Sequence, residues 1–316
     1  MPRILNKKTA VRHIIVDQEH VDRRIDNFLL NELKGLPKSR IYQMLRRGEI
    51  RVNGGRVKQF YRLCANDKVR IPPISTYQEG KSTSPKQYLI NLVQDSVIFE
   101  NVEFFALNKP SGIVVHSGSG RNWGVIEVMR YLHPEETGLQ LVHRLDRETS
   151  GCLLLAKNMR SLKKLHTCLT QGRVNKQYIA LLKGKLLSDF VNIDQPIRKN
   201  TLRSGERMVE VRSDGKHANT GFKVKKKFTN ATLVKILLGT GRTHQIRVHA
   251  QHQQHPVAGD NKYGDKIFNK AVKKAGLNRL FLHATTLKIS AHEGFSGLNV
   301  SAPLPADLSI FLENYR

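Results

Sequence analysis

The chain of 316 residues is long enough for one large domain and a smaller one, and a hydrophobic content of 39% is sufficient for well-packed cores. Its 53 lysine and arginine residues outnumber the 26 acidic residues by 27, which is unusual for a metabolic enzyme and predicts a polyanionic partner, above all nucleic acid. The cations are spread along the whole chain and no apolar run approaches about 18 residues, so a membrane partner is not expected.

The first residues and the cysteines bear on the cellular compartment. Residues 1–8 contain no apolar stretch followed by a cleavage site, which predicts a cytoplasmic protein. Cys64, Cys152 and Cys168 are odd in number and lack CxxC spacing, which argues against a disulfide framework and against a cysteine zinc site.

Two helices and a turn predict a small N-terminal module. Residues 22–34 carry apolar side chains at helical spacing, with cations off that stripe, which predicts an amphipathic helix. A second helix is predicted between Pro37 and Gly48, because proline favours the first turn of a helix and glycine its end. Asn53-Gly54 is a strong turn signal, and residues 69–72 predict a strand that closes a hairpin.

The cations of this module are candidate contacts for RNA phosphates. The candidates are one lysine and three arginines: Lys38, Arg40, Arg46 and Arg51. An ordinary solvated surface is the alternative, but these cations cluster where acidic residues are few. The strings R-I-D-x-F-L, K-S-R-I and R-x-G-x-I-x-V-N-G follow one another and resemble the S4 RNA-binding domain. The resemblance places an S4-like domain at residues 20–78, after an N-terminal extension of residues 1–19.

The next stretch predicts a linker and the start of a second domain. Residues 79–86 are polar and contain glycine, serine and proline, so a linker is expected at residues 79–96. Residues 97–99 and 104–107 predict a hairpin that delivers Lys109 to a turn. The glycines that follow match neither GxxxxGK[ST] nor GxGxxG, and no nucleotide cofactor is expected.

A single carboxylate, Asp146, lies among basic and hydroxyl side chains in the string H-R-L-D-R-E-T-S-G of residues 143–151. The apolar run of residues 153–156 predicts a buried strand, so Asp146 is expected on the loop that enters a rigid sheet, where chemistry is often located. An ordinary loop aspartate would instead cap the amide of Thr149 or Ser150, or pair with Arg144.

Two further strings follow. Residues 176–182 predict a strand that contains Tyr178, whose ring would ordinarily belong to the core. Residues 231–236 predict a strand that leads to G-R-T-H-Q-I-R-V-H at residues 241–249. Four histidines in and after this string have spacings of five, three and three. No carboxylate or cysteine completes a usual zinc set there and H-E-x-x-H is absent, so no metal site is expected.

The string around Asp146 resembles the HRLD-x-x-[ST]-G signature of the RluA family of pseudouridine synthases. The strings N-K-P-x-G, K-x-Y-x-A-L and G-R-T-H-Q-I-R-V-H are similar to the other motifs of that family, and the resemblance covers nearly the whole chain. It implies an RNA-modifying isomerase. The fold class implied is α+β: a small S4-type RNA-binding domain is followed, at residues 97–316, by a catalytic domain built on a mixed, mainly antiparallel sheet.

The same resemblance implies roles for single residues. Asp146 would be the essential catalytic residue, Arg247 the cation that pairs with Asp146, and Tyr178 the ring that stacks on the target uracil. Four further basic residues are the implied contacts of the substrate: Arg144, His143, Lys109 and Lys176. Lys109, in the first motif, would lie at the floor of the site.

The strings S-G-E-R and G-L-N-R-L-F-L-H resemble members that modify the large ribosomal subunit, which implies 23S ribosomal RNA or its precursor as partner. Pseudouridine formation involves no oxidation and no external reagent, so no cofactor is expected. Whether Asp146 acts as a nucleophile or removes a proton stays open.

An RNA-binding protein with an inactive domain is an alternative function. The complete set of Asp146, Tyr178 and Arg247 argues against it. A serine hydrolase would need G-x-S-x-G, which is absent near the candidate serines.

Overall fold

The computed structural model describes the following residues: 10–33, 36, 38–74, 84–117, 123–201, 207–291, 295 and 297–316. The chain forms two compact units, Met1–Ser84 and Pro85–Arg316. The division between them falls inside the predicted linker of residues 79–96, of which residues 79–83 lie outside the described part. The predicted limits of the domains stay a prediction.

The N-terminal unit packs two helices on a small sheet, as its sequence predicts. Its elements are β1 (Arg12–Ile15), a 3-10 turn (Gln18–His20), α1 (Ile25–Glu32), α2 (Lys38–Arg47), β2 (Arg51–Val52) and β3 (Lys68–Ile71). The strands pair antiparallel in the order β1-β3-β2, and Phe28 of α1 and Ile41 of α2 are buried in the core. Asn53 and Gly54 adopt positive φ values of 49° and 80°, which confirms the turn. Pro37, the predicted helix start, lies outside the described residues.

The strand β1 lies in the stretch that the sequence predicts as an N-terminal extension. It pairs with β3 from Arg12 opposite Ile71 to Ile15 opposite Lys68. Its four side chains are exposed or half-buried. The stretch therefore lacks the alternation of apolar and polar residues from which a strand is recognised, and its place depends on backbone pairing.

The C-terminal unit contains the large sheet. Its elements are α3 (Gln87–Gln94), β4 (Val97–Glu100), β5 (Phe104–Lys109), α4 (Val125–Leu132), β6 (Gln140–Leu141), β7 (Ser150–Ala156), α5 (Met159–Thr170), β8 (Val174–Lys183), β9 (Phe190–Asp194), β10 (Ile197–Thr201), β11 (Arg207–Val211), β12 (Asn219–Lys227), β13 (Ala231–Leu238), α6 (Gln245–His252), α7 (Lys266–Lys274), β14 (Leu282–Ile289), β15 (Leu298–Ser301) and α8 (Ala306–Asn314).

Within the described ranges, ten strands form one sheet in the order β4-β5-β7-β14-β8-β13-β12-β9, with β6 paired to β7 and β15 to β14. The strands β10 and β11 form a separate hairpin. The pair β7 and β14 is parallel, and the other pairs of the sheet are antiparallel. The predicted mixed, mainly antiparallel sheet is thereby confirmed, together with the hairpin of β4 and β5.

The helix α3 lies within the predicted linker. Its residues Ile90 and Val93 are buried, so the chain is already part of the C-terminal unit at this point. The polar composition that suggests a linker ends at Lys86, which is the residue before the helix. An apolar stripe on a helix of eight residues is a short signal, so the sequence does not clearly separate this helix from the linker before it.

Hydrophobic clusters cover both faces of the sheet. Along β8, Ala180 and Leu182 belong to the larger cluster, whereas Leu181 belongs to a second cluster with Phe281 and Phe311. This alternation follows from the geometry of a strand, in which successive side chains point to opposite faces. None of the helices in the described part of the chain has the length and apolarity needed to cross a membrane.

The parallel contact of β7 and β14 fixes the start of β7. Ser150 is opposite His283, and Gly151 is opposite Ala284. The φ of Gly151 is 113°, and a Cβ atom at this position would lie 2.2 Å from the carbonyl oxygen of Ala284. Only glycine permits this approach of the two backbones. The loop that ends at Ser150 therefore enters the middle of the sheet at a fixed place.

Candidate active site

Asp146 lies on the loop between β6 and β7, as the sequence predicts. The loop contains a turn in which the amide of Thr149 donates to the carbonyl oxygen of Asp146 at 3.1 Å. The amide of Gly112, after β5, donates to the carbonyl oxygen of Arg147 at 2.9 Å. Backbone hydrogen bonds thus hold the segment that carries the carboxylate.

Lys109, at the end of β5, is fully buried under this loop. Its Nζ donates to three carbonyl oxygens, those of Pro110 at 2.6 Å, Ile113 at 3.0 Å and Arg147 at 3.1 Å. Burial, and secondly the charge of Arg279, lower the pKa of Lys109 to about 7. Lys109 forms the floor of the loop, and a direct contact with RNA would require it to leave these carbonyls.

Two cavities meet at Asp146, with volumes of about 360 Å³ and 420 Å³. They share five lining residues: Arg144, Leu145, Asp146, His244 and Arg247. The first cavity is also lined by His143, Lys176 and Tyr178. The structure therefore brings together six predicted site residues that lie as far apart in the sequence as residues 143 and 247.

Arg247 is held by a second carboxylate. Its Nε and Nη2 donate to the two oxygens of Asp260 at 2.6 and 2.7 Å, and its Nη1 lies 3.7 Å from Oδ2 of Asp146. The side chain of Asp260 is completely buried, and it also accepts from the amides of Lys262 and Tyr263. The cation predicted to pair with Asp146 thus faces it at ion-pair distance, while its hydrogen bonds go to Asp260.

The pair of Arg247 and Asp260 is charged. Burial on its own would raise the pKa of Asp260, but the hydrogen bonds and the positive charge of Arg247 hold it below its usual value. Burial likewise works against the charged form of Arg247, yet Asp260 raises the pKa of the guanidinium. A fixed positive charge therefore lies beside Asp146.

His244 also faces Asp146, at the same carboxylate oxygen as Arg247. Its Nε2 lies 3.8 Å from Oδ2 of Asp146, and its Nδ1 lies 2.8 Å from the hydroxyl of Tyr263. Burial, followed by the positive charges of Arg247 and Lys262, lowers the pKa of His244, although Asp146 acts in the opposite direction. The imidazole is consequently neutral near pH 7.

Tyr178 and Lys176 lie two residues apart on β8 and line the same cavity. Tyr178 is buried except for 8% of its surface, and burial together with the charge of Asp146 raises the pKa of its phenol. The phenol thus stays protonated. Burial lowers the pKa of Lys176, which has no ion pair with a carboxylate in the described part of the chain.

His143 and Arg144 differ in what they offer to a substrate. Nε2 of His143 accepts a hydrogen bond from the amide of Leu154 at 3.2 Å, and burial, followed by the charge of Lys176, lowers the pKa of His143 to about 3. His143 is therefore a neutral ring that ties the loop to β7. Arg144 is exposed at the meeting point of both cavities, where its charge is available to RNA.

Buried histidines make the C-terminal unit sensitive to acid. Nδ1 of the fully buried His283 lies 2.9 Å from Ser150 Oγ, and burial lowers the pKa of His283 to about 4. As the pH falls from about 6.5 to 4, the unfolded chain takes up a proton that the folded chain does not, and stability is lost.

We expect the free energy of unfolding to fall by roughly 2 to 3 kcal/mol from this one residue over that interval. Urea unfolding at several pH values, followed by the fluorescence of Trp123, measures it, because the single tryptophan of the chain lies in this unit. The matched control is His283→Gln, which keeps a donor for the carbonyl of Ala302 but does not titrate. An equal pH dependence in both proteins would contradict the assignment.

The predicted phosphate contacts of the N-terminal unit differ in availability. Lys38 is exposed and its Nζ lies 5.3 Å from the ring centroid of Tyr42. Arg40 is partly neutralised by Glu49, with Nη2 and Oε2 3.2 Å apart. Nε of Arg51 donates to the carbonyl of Gly48 at 3.1 Å. Arg46 is exposed and has no side-chain partner among the residues that the structure describes, which makes it the most available cation of the four.

Two of the four histidines in and after the string of residues 241–249 are bonded to protein groups. Nδ1 of His249 lies 2.9 Å from Thr220 Oγ1 and its Nε2 lies 3.0 Å from the carbonyl oxygen of Gln195. Nδ1 of His255 lies 2.7 Å from the carbonyl oxygen of Lys183. In the described ranges, no group of three or more histidine, cysteine and acidic side chains is placed to hold a metal ion.

Sequence reasoning missed three residues of the site: His244, Asp260 and Tyr263. In the sequence, His244 is one of the four histidines weighed as metal ligands, whereas Asp260 and Tyr263 have no predicted role. A signal was available for Asp260, because a buried arginine requires a carboxylate partner and Asp260 is the acidic residue that follows Arg247 most closely. The contact of Tyr263 with His244 has no counterpart in sequence spacing.

Models of two families match the chain: RNA pseudouridylate synthase over residues 103–252 and the S4 domain over residues 23–69. Together with full-length relatives, these matches show that the chain belongs to the RluA family of RNA pseudouridine synthases, which are isomerases, and that it carries an S4 domain. The predicted family, fold class and type of enzyme are confirmed.

The relatives include proteins named Ribosomal large subunit pseudouridine synthase C. The one from Pasteurella multocida is 45% identical over 315 residues, 99% of this chain and 96% of the relative. The one from Escherichia coli is 44% identical over 310 residues, 97% of each chain. Among solved structures, Human RNA Pseudouridylate Synthase Domain Containing 1 is 27% identical, with a TM-score of 0.57 over 68% of this chain and 86% of that chain.

Proposed function

We propose that the chain converts specific uridines of 23S ribosomal RNA, or of its precursor, to pseudouridine in the cytoplasm, with Asp146 as the catalytic carboxylate. The observation that carries the proposal is the position of Asp146 at the junction of two cavities, with Arg247 and His244 both within 4 Å of its Oδ2. Relatives of nearly equal length named for the large ribosomal subunit support the substrate.

The reaction breaks the bond from N1 of uracil to C1′ of the ribose, turns the base, and forms a bond from C5 to C1′. The proton on C5 is lost and N1 gains one, so the change is an isomerisation without a redox partner. A carboxylate can act in this reaction as a nucleophile or as a base on the sugar. The same group can later remove the proton from C5. The fixed charge of Arg247, 3.7 Å from Oδ2 of Asp146, orients the carboxylate.

The uridine must leave its stack to reach Asp146, which costs a few kcal/mol. Arg144, exposed at the entrance, and the ring of Tyr178 inside the first cavity offset this cost. Lys176, beside Tyr178 and without an acidic partner in the described residues, is positioned to attract a phosphate of the same strand.

The test of the substrate is a map of pseudouridines in 23S RNA from cells with and without the gene. We expect a small set of sites to be lost on deletion and restored when the gene is returned. An unchanged map in 23S RNA, together with losses in another RNA, would contradict the proposed substrate and leave the family assignment intact.

The stacking role of Tyr178 leads to a prediction about two variants. Tyr178→Phe keeps the ring and should bind RNA as the unchanged protein does, whereas Tyr178→Ala loses a stacking face worth about 1–3 kcal/mol. Filter binding of a 23S fragment that contains a target uridine measures the difference. If both variants bind and react alike, Tyr178 is a core residue only.

The N-terminal unit should act as an anchor for RNA. A chain that begins at Pro85 is expected to bind 23S RNA more weakly and with a flatter salt dependence, because each lost phosphate contact changes the log–log slope by about 0.7 to 0.9. It should still isomerise uridine at high enzyme concentration, since Asp146, Tyr178 and Arg247 all lie in the C-terminal unit.

The measurements are binding at several salt concentrations and turnover at saturating enzyme. The control is Arg46→Gln in the full chain. Its log–log salt slope should become flatter by about 0.7 to 0.9, the effect of one lost phosphate contact. A folded truncation with an unchanged slope would exclude the anchoring role.

A further inference from the structure

His244 has a backbone conformation that its residue type rarely adopts. Its φ of 55° and ψ of 15° are left-handed, and it immediately precedes α6. A non-glycine residue in this region is held there by its surroundings, often at a functional site. The conformation turns the ring into the space where both cavities meet, with Nε2 directed at Asp146.

A buried tyrosine determines which ring nitrogen of His244 carries the proton. The amide of Val209 donates to the hydroxyl oxygen of Tyr263 at 3.0 Å, and Nδ1 of His244 lies 2.8 Å from the same oxygen. A phenol has one proton, and with Val209 donating to its oxygen that proton is directed to Nδ1. Nδ1 is then the acceptor, and the proton of the neutral ring is on Nε2, which faces Asp146.

Tyr263 also holds the other group that faces Asp146. Its amide donates to Asp260, which binds Arg247, and the guanidinium of Arg247 lies 5.0 Å from the centre of the Tyr263 ring. The ring of His244 packs edge-on against it, with centroids 5.4 Å apart. One residue, 2% exposed, thus fixes both neighbours of the carboxylate.

The charged and titratable groups around His244 are Asp146, Arg247, Asp260, Lys262 and Tyr263. Among them Asp146 alone presents an acceptor to Nε2. The separation of 3.8 Å is longer than a hydrogen bond, and such contacts commonly tighten when substrate is bound. A neutral N–H donor there would hold one oxygen of Asp146 and leave the other free to react.

We propose that His244 is a positioning residue of the isomerisation: its Nε2–H orients Oδ2 of Asp146, in a tautomer that is set by the hydroxyl of Tyr263. The proposal rests on the proposed role of Asp146. It adds a residue and a direction of hydrogen bonding to that role.

The first test is spectroscopic and does not depend on activity. In the full chain with ¹⁵N-labelled histidine, long-range proton–nitrogen spectra distinguish the two tautomers and the imidazolium. The resonances of His244, one of 13 histidines, are assigned by their loss in His244→Gln. We expect a neutral ring protonated on Nε2 at pH 7, and a mixture of tautomers in Tyr263→Phe. A ring protonated on Nδ1, or charged, in the unchanged protein would overturn the proposal.

The second test is kinetic and uses tritium release from 23S transcripts labelled at C5 of uridine. His244→Phe, which keeps a ring but no donor, should lower kcat by about 10²-fold with little change in KM. His244→Gln places an amide N–H near the position of Nε2 and should restore most of the rate. Equal rates for the two variants would exclude a role for the donor.

A double-mutant cycle separates positioning from general support of the fold. Because Tyr263 acts through His244, Tyr263→Phe should lower kcat in the presence of His244 and have no further effect in His244→Phe. Additive losses would contradict the proposed connection.

Unfolding followed by Trp123 fluorescence checks that each variant is folded. If the unchanged protein is inactive on 23S transcripts, the proposed substrate is wrong. If the unchanged protein is active and His244→Phe reacts at the full rate, only the role of His244 is wrong.

Discussion

Asp146→Asn is expected to abolish tritium release from 23S transcripts labelled at C5 of uridine, with a loss of roughly 10⁴-fold or more. The amide keeps the shape of the side chain but loses the anion, and with it the ability to attack carbon or to accept a proton. Binding of RNA should stay within a few-fold, since no phosphate contact is removed.

The matched control is Asp260→Asn, which removes a carboxylate from the same site without removing the one that faces the cavities. It should keep measurable turnover, because Arg247 remains beside Asp146. If Asp146→Asn turned over at a near-normal rate, the catalytic assignment would be wrong, whatever the result for Asp260→Asn.

Arg247→Met is expected to affect stability and rate together. The substitution leaves the fully buried Asp260 without its cation, which costs about 3–5 kcal/mol. It also removes the guanidinium that faces Asp146 at 3.7 Å, so the rate should fall by at least about 10²-fold. Arg247→Lys keeps the charge but not the two-pronged contact, and should be intermediate in stability.

The double variant Arg247→Met with Asp260→Asn separates the two effects. A neutral amide in place of the buried carboxylate should recover much of the stability, as measured by urea unfolding with Trp123 fluorescence. The rate should not recover, because the charge beside Asp146 is still absent. Recovery of turnover along with stability would show that Arg247 supports the fold only.

The location of Asp146 could be predicted because it depends on short-range features. The apolar residues of β7 are recognisable as a buried strand, and a carboxylate just before such a strand must lie on the loop that enters it. The sequence string around it is long enough to indicate the family. Tyr178 could be placed on a strand for the same reason, because the apolar run that follows it, residues 179–182, is recognisable as part of β8.

The partners within the site could not be predicted in the same way. Asp260 reaches Arg247 from beyond the end of α6, through a turn at Gly259 with a φ of 73°. The orientation of the His244 ring depends on the left-handed backbone conformation of His244 itself. Histidine is not a residue type from which that conformation can be predicted. The strand β1 pairs through its backbone while its side chains stay accessible, so its sequence carries little pattern. These features depend on contacts between distant parts of the chain.

The meeting of two cavities at one carboxylate has a consequence for the fidelity of the reaction. In the proposed reaction, the uracil must turn after the glycosidic bond is broken and before C5 can join the sugar. The two cavities that share Asp146 give the base room to rotate while the RNA strand stays bound. We therefore expect few abasic sites and little free uracil among the products.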